Sequence, residues 1–347
     1  MSYSPIDKPT DYFEASTYTG GATDVSSLSF QPDWVWAKKR DGSENHGLFD
    51  SVRGATKTIN SNTTDVESTR SGSLTSFDSD GWTMGGSDGI ISASGSTYVG
   101  WAWRAGGGQG SSNTDGSINT THTSVNTTSG FSISSYTGTG SAATVGHGLG
   151  VLPSMIIIKS RSKSGQNWIT WHKAFTGNNE YVELNTTDAK DTYDMIDNTS
   201  NTTSVFAISG DGNVNESSAT YVAYCFAEKK GYSKFGSYTG NGNADGTFVY
   251  TGFKPAFVMS KCTSHAGEDW NINDDKRPGY NVIQNALLPN ASTAEVTASY
   301  QAIDTLSNGF KWRGTNDRVN ASGKSYIYMA FADSPFVGSN FNPATAR

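Results

Sequence analysis

Residue types that commonly carry out catalysis are few in this chain and do not cluster. The two cysteines, Cys225 and Cys262, are too few for a disulfide framework or a four-cysteine zinc site, so we predict buried, reduced thiols. The five histidines are spread along the chain, with no two at a metal-ligand spacing: His46, His122, His147, His172 and His265. We therefore predict no catalytic residue, no metal ligand and no bound cofactor.

Two acidic segments resemble the beginning of a calcium-binding loop. They are Asp78-Ser-Asp80-Gly81 and Asn241-Gly-Asn-Ala-Asp245-Gly246. Neither carries the Glu that an EF-hand loop requires at its twelfth position. Asp-Gly and Asn-Gly pairs are typical of tight turns, so we predict turns at both places.

Tryptophans flanked by polar residues are the candidates for a ligand surface. They are Trp168 and Trp171 in N-W-I-T-W, Trp270 in D-W-N, and Trp312 in K-W-R. If these rings are exposed on loops, their faces suit stacking on the C–H groups of a sugar. Alternating tryptophans within a strand are more often buried core residues, so we favour a core position and keep the ligand surface as the alternative.

The composition is that of a turn-rich β protein. Ser, Thr and Gly make up more than a third of the chain, aromatic residues 12% and charged residues 16%. Such a composition suggests disorder, but the many aromatic rings supply core area and the net charge is only −7. No apolar run approaches the roughly 18 residues of a membrane span, and scattered Lys and Arg give no nucleic-acid-binding patch.

Internal repetition organises the chain. Four landmarks recur three times in the same order: a Tyr-Thr-Gly step, a strand with Pro near its start and Lys at its end, an Asn-rich turn, and a closing strand. The closing strands begin Thr97-Tyr-Val, Thr220-Tyr-Val and Ser325-Tyr-Ile. At about 100 residues, each repeat is long enough to enclose its own core. The sequence therefore predicts an all-β fold of three tandem β-sandwich domains, jelly-roll-like in form.

The predicted boundaries follow from these landmarks. Residues 1–12 form an N-terminal arm and residues 334–347 a C-terminal tail. A Gly/Thr-rich segment, 105–130, lengthens the first interval; its part from Ile118 to Val125 fits a short exposed strand or more linker, and we favour linker. The three sandwich repeats are 13–104 (repeat 1), 131–230 (repeat 2) and 231–333 (repeat 3).

Two side chains are kept in all three repeats. Lys38, Lys159 and Lys261 end the Pro-containing strand; they fit a ligand-binding role, but we favour a lysine that flanks an apolar run and extends to solvent. The Asn-rich turns contain Asn62, Asn185 and Asn290, which we predict to cap turns through bonds from side chain to backbone.

These residues resemble a family of tandem-domain proteins from marine tailed bacteriophages. The shared phrases include F-x-P-x-x-V-x-x-K at 30–38, L-F-D-S-V-R-G-A at 48–55 and S-N-T-T-x-x-E at 61–67. The C-terminal phrases at 329–336 and 343–347 are also similar, so the resemblance covers nearly the whole chain. It implies a virion surface protein of the tail-fibre or receptor-binding kind, assembled in the host cytoplasm, and it supplies no catalytic residues.

The resemblance leaves three functions to weigh. A tail-fibre-like adhesin that binds a host-surface glycan or receptor is the first, a capsid decoration or head-fibre protein is the alternative, and a glycan-hydrolysing tail protein is the third. We expect no nucleic acid or membrane insertion among its interactions, and other virion proteins as partners. A homotrimer is common in this class, although the sequence shows no coiled-coil heptads. The residues expected to attach the chain to the virion lie at its two ends: Pro5, Pro9, Tyr12, Phe13, Phe336 and Phe341.

Overall fold

The structure, a computed structural model, describes residues 4–335 and is built almost entirely of antiparallel strands. Strands make up 41% of the chain and helices 3%, which confirms the all-β prediction. Within this range the helical elements are α1 (Gly212–Asn215) and two short 3-10 turns, Pro9–Asp11 and Ser299–Gln301. None of the described helices is long and apolar enough to cross a membrane.

The strands fall into three groups that match the three repeats. Repeat 1 holds β1 (Phe13–Thr19), β2 (Asp24–Val25), β3 (Trp34–Lys39), β4 (Gly47–Asp50), β5 (Lys57–Asn60), β6 (Ser68–Thr69), β7 (Leu74–Asp78), β8 (Gly81–Met84) and β9 (Thr97–Trp103). The inserted segment and repeat 2 hold β10 (His122–Asn126), β11 (Phe131–Thr137), β12 (Ala143–Gly146), β13 (Met155–Ser160), β14 (Ile169–His172), β15 (Glu180–Glu183), β16 (Asp191–Thr192), β17 (Val205–Ile208) and β18 (Thr220–Phe226). Repeat 3 holds β19 (Ser233–Thr239), β20 (Phe248–Tyr250), β21 (Phe253–Cys262), β22 (Asn271–Asp274), β23 (Asn285–Ala286), β24 (Val296–Thr297), β25 (Ile303–Leu306), β26 (Gly309–Trp312) and β27 (Ser325–Pro335).

Each repeat contains the same four-stranded motif in its larger, inner sheet. The strand orders are β1-β9-β3-β4, β11-β18-β13-β14 and β19-β27-β21-β22. The closing strand therefore lies between the first strand and the lysine-bearing strand in every repeat. The run Met155–Ile158 in β13 is buried along its whole length, as its continuous apolar sequence predicts.

This strand order explains why the Tyr-Thr-Gly landmark recurs in each repeat. Its tyrosine pairs across the strands with the first tyrosine of the closing strand, and the two rings stack. The pairs are Tyr18 with Tyr98, Tyr136 with Tyr221, and Tyr238 with Tyr326. Their ring centroids are 5.4, 5.2 and 4.9 Å apart, in that order.

A smaller outer sheet covers one face of each inner sheet, so each repeat is a two-layer β-sandwich. The outer sheets have the orders β2-β8-β7, β12-β17 and β20-β26-β25. In repeat 1 the layers meet through Val25, Trp82 and Val35, among others. In repeat 3 they meet through a corresponding set that includes Val249 and Phe310.

The other faces of the inner sheets meet one another in one shared core. Its buried residues come from all three repeats. Trp34 of repeat 1 stacks on Tyr224 of repeat 2 with centroids 4.5 Å apart. Phe331 of repeat 3 lies 5.6 Å from Trp103 and 6.0 Å from Phe226, and these three rings occupy the same position of the three closing strands. Each repeat thus has a local sandwich, but the three are packed together rather than separated.

The inserted segment is not only a linker. Its last part forms β10, which pairs with β11 at the edge of the repeat 2 sheet, and Thr123 and Ser124 are buried there. The preference for a linker from Ile118 to Val125 was therefore wrong. The pattern was misread because polar Ser and Thr side chains fill these buried positions: Thr123 bonds to Ser134 across the strands.

A shared core makes the three repeats unfold together. We expect one cooperative transition in urea, with tryptophan fluorescence and far-UV circular dichroism giving the same midpoint, because separating any repeat exposes the inner face of the other two. Two resolved transitions, or different midpoints for the two probes, would contradict this coupling.

Candidate functional site

The four tryptophans proposed as a ligand surface are all buried. Trp168 and Trp312 are fully buried, Trp270 is 1% exposed and Trp171 is 4% exposed. The core position is therefore confirmed for these four residues, and the alternative of exposed, sugar-stacking rings is wrong. Polar neighbours do not make these rings exposed: Asn167, for example, bonds to Asn185 and Glu183 within its own repeat.

Two of these rings join one repeat to the preceding one. Trp168 Nε1 donates to the Asn60 carbonyl of repeat 1, and Trp270 Nε1 donates to the Glu183 carbonyl of repeat 2, both at 2.9 Å. The equivalent position in repeat 1 is His46, which is fully buried. Burial lowers the pKa of His46 well below its usual range, and its Nε2 makes no hydrogen bond among the described residues.

The asparagines that recur in all three repeats show that His46, Trp168 and Trp270 occupy equivalent positions. The side-chain oxygens of Asn62, Asn185 and Asn290 accept from the backbone N–H of His46, Trp168 and Trp270, at 3.0, 2.7 and 2.9 Å. The predicted bonds from side chain to backbone are thus present, but they do not cap local turns. They span 16 to 20 residues along the chain, so each asparagine braces the loop before the fourth strand of its inner sheet.

The three repeated lysines connect the repeats in a ring. All three side chains are fully buried, so the preferred interpretation of lysines that extend to solvent was wrong. Each Nζ donates to a carbonyl of its own repeat and to a carbonyl of the preceding one. The bonds between repeats run from Lys38 to Ser292 (3.3 Å), from Lys159 to Thr64 (3.4 Å) and from Lys261 to Thr187 (3.3 Å).

Backbone bonds follow the same cyclic order. Glu67 N–H donates to the Arg161 carbonyl, Lys190 N–H to Thr263 and Glu295 N–H to Arg40, at 2.8 to 2.9 Å. The last of these joins repeat 3 to repeat 1. The chain therefore closes on itself, and each repeat contacts both of the others through equivalent positions.

A pattern of Arg–Glu and Arg–Asp ion pairs reinforces two of the three junctions. Between repeats 1 and 2, Arg161 makes two bonds to Glu67, which also accepts from the buried Arg53. Arg53 in turn pairs with Asp50, and both side chains are fully buried. Between repeats 3 and 1, the equivalent residues are Arg40, Glu295, Arg277 and Asp274, joined in the same pattern.

The junction between repeats 2 and 3 lacks this ion-pair pattern. The positions of Arg161, Glu67 and Arg53 are taken there by Thr263, Lys190 and Phe175. Lys190 pairs with Glu180 of its own repeat and lies over the Phe175 ring, 5.7 Å from its centroid. His172 stands where Asp50 and Asp274 stand elsewhere; its Nε2 lies 3.1 Å from the Tyr328 carbonyl, and burial lowers its pKa to about 3.

The most perturbed carboxyl group lies in repeat 3. Burial and the negative charge of Asp333 raise the pKa of Asp275 to about 7. The cavity beside it measures about 10 Å³ and is lined by Lys254, Tyr280 and Asn281, among others. A sugar ring does not fit in that volume, so this carboxyl does not favour the glycan-hydrolase alternative. Among residues 4–335, no three acidic, His or Cys side chains group as metal ligands.

The proposed attachment arm at the N-terminus folds onto the molecule. Pro9 and Phe13 are buried and Tyr12 is half-buried, whereas Pro5 is exposed. Phe13 packs against Phe257 and Phe331 of repeat 3, with centroids 5.7 and 5.2 Å apart. These contacts contradict a free docking arm for Pro9 and Phe13. Phe336 and Phe341 lie outside the described residues.

Exposed large apolar side chains are concentrated on repeat 3. Phe248 is 44% exposed and Tyr250 55%. They flank the inward-facing Val249 of β20, so both lie on the outer face of the outer sheet. The equivalent positions hold Asp24 and Ser26 in repeat 1, and Thr144 and Gly146 in repeat 2. The other large apolar residues of repeat 3 that are exposed are Tyr280, Val282 and Tyr300.

Three related β-sandwiches closed into a ring by buried bonds define an internally repeated all-β protein. Residues 8–335 match the model of a family described as a domain of unknown function, DUF7483, and the chain belongs to that family. No curated protein matches the chain.

The buried Asp50–Arg53 pair provides a test of the junctions. Replacing Asp50 with Asn leaves the Arg53 guanidinium buried with less negative charge around it, and we expect unfolding free energy to fall by about 3–5 kcal/mol. The control is Asp11→Asn at the exposed Lys8–Asp11 pair, which should cost less than about 1 kcal/mol. Equal losses from both changes in urea unfolding would contradict the assigned role.

The three lysines make stability depend on pH. Burial lowers the pKa of Lys38, Lys159 and Lys261 from 10.5 to about 8. Between those values the unfolded chain binds more protons than the folded chain, so the free energy of unfolding rises with pH. Burial raises the pKa of the Cys225 thiol, which makes the free energy of unfolding fall as pH rises. This opposing effect comes from one group, whereas the lysine effect comes from three.

We therefore expect stability to increase from pH 8 to 9 in urea unfolding, where few tyrosines are ionised in the unfolded chain. The Lys159→Met variant should show a smaller slope, because one of the three contributions is gone. A slope unchanged by this substitution would show that the lysine is charged and solvated in the folded protein.

Proposed function

We propose that this protein is a non-enzymatic surface protein of a bacteriophage virion that binds a host-surface glycan or receptor. It assembles with other virion proteins in the host cytoplasm. The sequence resemblance supports the virion assignment. The observation that carries the adhesive role is the aromatic outer face of repeat 3, here called the repeat 3 face and defined by Phe248, Tyr250, Gly309, Lys311 and Asp304.

The geometry of the repeat 3 face suits contact with a polar, ring-shaped ligand. Phe248 lies opposite Lys311, and Tyr250 opposite Gly309. The Phe248 ring lies across Gly309, where an added Cβ atom would come within 3.0 Å of it. Flat exposed rings can stack on sugar C–H groups, while neighbouring charged groups hydrogen-bond to hydroxyls.

The polar side of this surface is already organised. Arg313 donates to Asp304 at 2.6 Å and to Asp245 at 3.2 Å, and Lys311 pairs with Asp245 at 2.5 Å. Two cations and two carboxylates thus alternate next to the exposed rings, and their charges balance. This arrangement supplies donors and acceptors without a strong net field, which favours a neutral ligand over a highly charged one.

The repeats themselves make the repeat 3 face distinctive. In repeats 1 and 2 the residues on either side of the inward-facing valine are polar or small. A strand position that faces solvent needs no large side chain. The two rings at these positions of repeat 3 are 44% and 55% exposed, and exposed rings are enriched where proteins make contacts.

Capsid decoration is the second candidate, and the closed ring favours it. Three similar units around one centre present three related surfaces, a shape that fits a threefold position of a shell. Copy number in purified virions separates the two candidates, because a decoration protein is present at the number of shell sites and a tail adhesin at the number of tails.

Adhesion is tested with labelled protein and host cell envelopes. We expect the intact protein to bind at micromolar concentration and the double variant Phe248→Ala/Tyr250→Ala to bind at least tenfold more weakly, because its stacking rings are gone. The matched control is Asp24→Ala/Ser26→Ala, the equivalent change in repeat 1, which should leave binding unchanged. Absence of binding by the intact protein, or equal loss in the control, would refute adhesion through this face.

A further inference from the structure

The three junctions of the ring serve as internal comparisons for one another. At the junction of repeats 1 and 2, and again at that of repeats 3 and 1, an Arg–Glu pair connects the edge of one sheet to the next repeat. At the junction of repeats 2 and 3 the same two positions hold Thr263 and Lys190. Thr263 is shorter than arginine by several atoms, and Lys190 turns to Glu180 of its own repeat.

A cleft lies where the Arg–Glu pair is missing. Its volume is about 340 Å³, and Phe175, Lys190, Ser237, Thr239, Thr263 and Ser325 are among its lining residues. Small-molecule sites in proteins begin at about 300 Å³, so the cleft has room for one sugar-sized ligand. Because the backbone bond from Lys190 to Thr263 is kept at 2.9 Å, the junction closes around this space as the other two junctions do.

The walls of the cleft offer hydroxyl groups with free hydrogen-bonding capacity. Ser237, Thr239 and Ser325 are exposed, and their side-chain hydroxyls have no hydrogen-bond partner within residues 4–335. They lie on neighbouring strands, with Thr239 directly opposite Ser325. Thr263 Oγ1 donates to the Ser325 carbonyl at 3.1 Å and so holds the rim in place.

The remaining lining decides the charge and polarity of the ligand. Phe175 is 6% exposed and Ile327 3%, so they form an apolar floor rather than a projecting platform. The ammonium group of Lys190 is neutralised by Glu180 at close range. A phosphate or carboxylate ligand finds no unpaired cation in this lining, whereas a ligand with a C–H face and several hydroxyls matches both the floor and the rim.

We propose that the cleft between repeats 2 and 3 is a binding site for one neutral saccharide unit. The floor of Phe175 and Ile327 contacts the apolar face of the sugar, and Ser237, Thr239 and Ser325 bond to its hydroxyls. The proposal rests on the proposed adhesive function for its biological ligand, and it names a second, smaller subsite that is separate from the repeat 3 face.

The test uses the full chain and a panel of neutral methyl glycosides of glucose, galactose, mannose and N-acetylglucosamine, observed by saturation-transfer difference NMR. We expect at least one glycoside to bind with a dissociation constant in the millimolar range. Thr263→Arg/Lys190→Glu rebuilds the Arg–Glu pair of the other junctions and fills the cleft, so binding should fall at least tenfold.

If the variant with the rebuilt junction does not fold, a less disruptive double substitution and its control test the same site. Ser237→Ala/Ser325→Ala removes two hydroxyls without adding volume and should weaken glycoside binding several-fold. Thr17→Ala/Thr97→Ala makes the equivalent change in repeat 1 and should have no effect. Circular dichroism and thermal midpoints verify folding of every variant.

The outcomes separate this inference from adhesion itself. Lack of binding by every glycoside, or undiminished binding in both cleft variants, overturns the saccharide site even if host envelopes are bound. Glycoside binding that depends on the cleft, together with no envelope binding, supports the site and overturns the adhesive function. The variant Phe248→Ala/Tyr250→Ala should lose envelope binding and keep glycoside binding.

Discussion

Closure of the three repeats into one ring is the constraint on which the rest of the structure depends. Each inner sheet has one face against its own outer sheet and the other against the shared core, so no repeat can bury both faces alone. The bond from Lys38 to Ser292 joins residues 254 positions apart, across the first and last repeats. Burial of three ammonium groups is tolerable only because carbonyl oxygens of two repeats surround each of them.

The ring combines equivalent contacts with a few positions where the repeats differ. Stacked tyrosines, bracing asparagines and buried lysines occur three times, and they account for the fold. The differences lie elsewhere: exposed aromatic rings on β20, and Thr263 with Lys190 in place of an Arg–Glu pair. Equivalent positions face the same structural demands, so residues that depart from the common pattern are the ones to examine for a role beyond folding.

Much of this architecture was predictable from the sequence, because strands and turns leave local patterns. The continuous run at Met155–Ile158 indicated a central buried strand, and the three closing strands occupy matching places in the sheets. Contacts between repeats leave no such pattern. Trp168 has polar neighbours and is fully buried, because the surface that covers it belongs to repeat 1. Lys159 at a strand end looks the same in sequence whether it reaches water or a carbonyl of another repeat.

The buried lysines also bear on which partners a repeat can accept. Their bonds are equivalent at all three junctions, so by themselves they would allow a repeat to pair with a repeat of another chain. The ion clusters restrict this choice, because Arg161 and Arg40 require Glu67 and Glu295, and Lys190 at the equivalent position of repeat 2 would repel an arginine. Connection within one chain raises the effective concentration of the correct neighbours far above that of other copies. A chain that closes its own ring of three thus satisfies by itself the contacts that a homotrimer of single repeats would otherwise share among three copies.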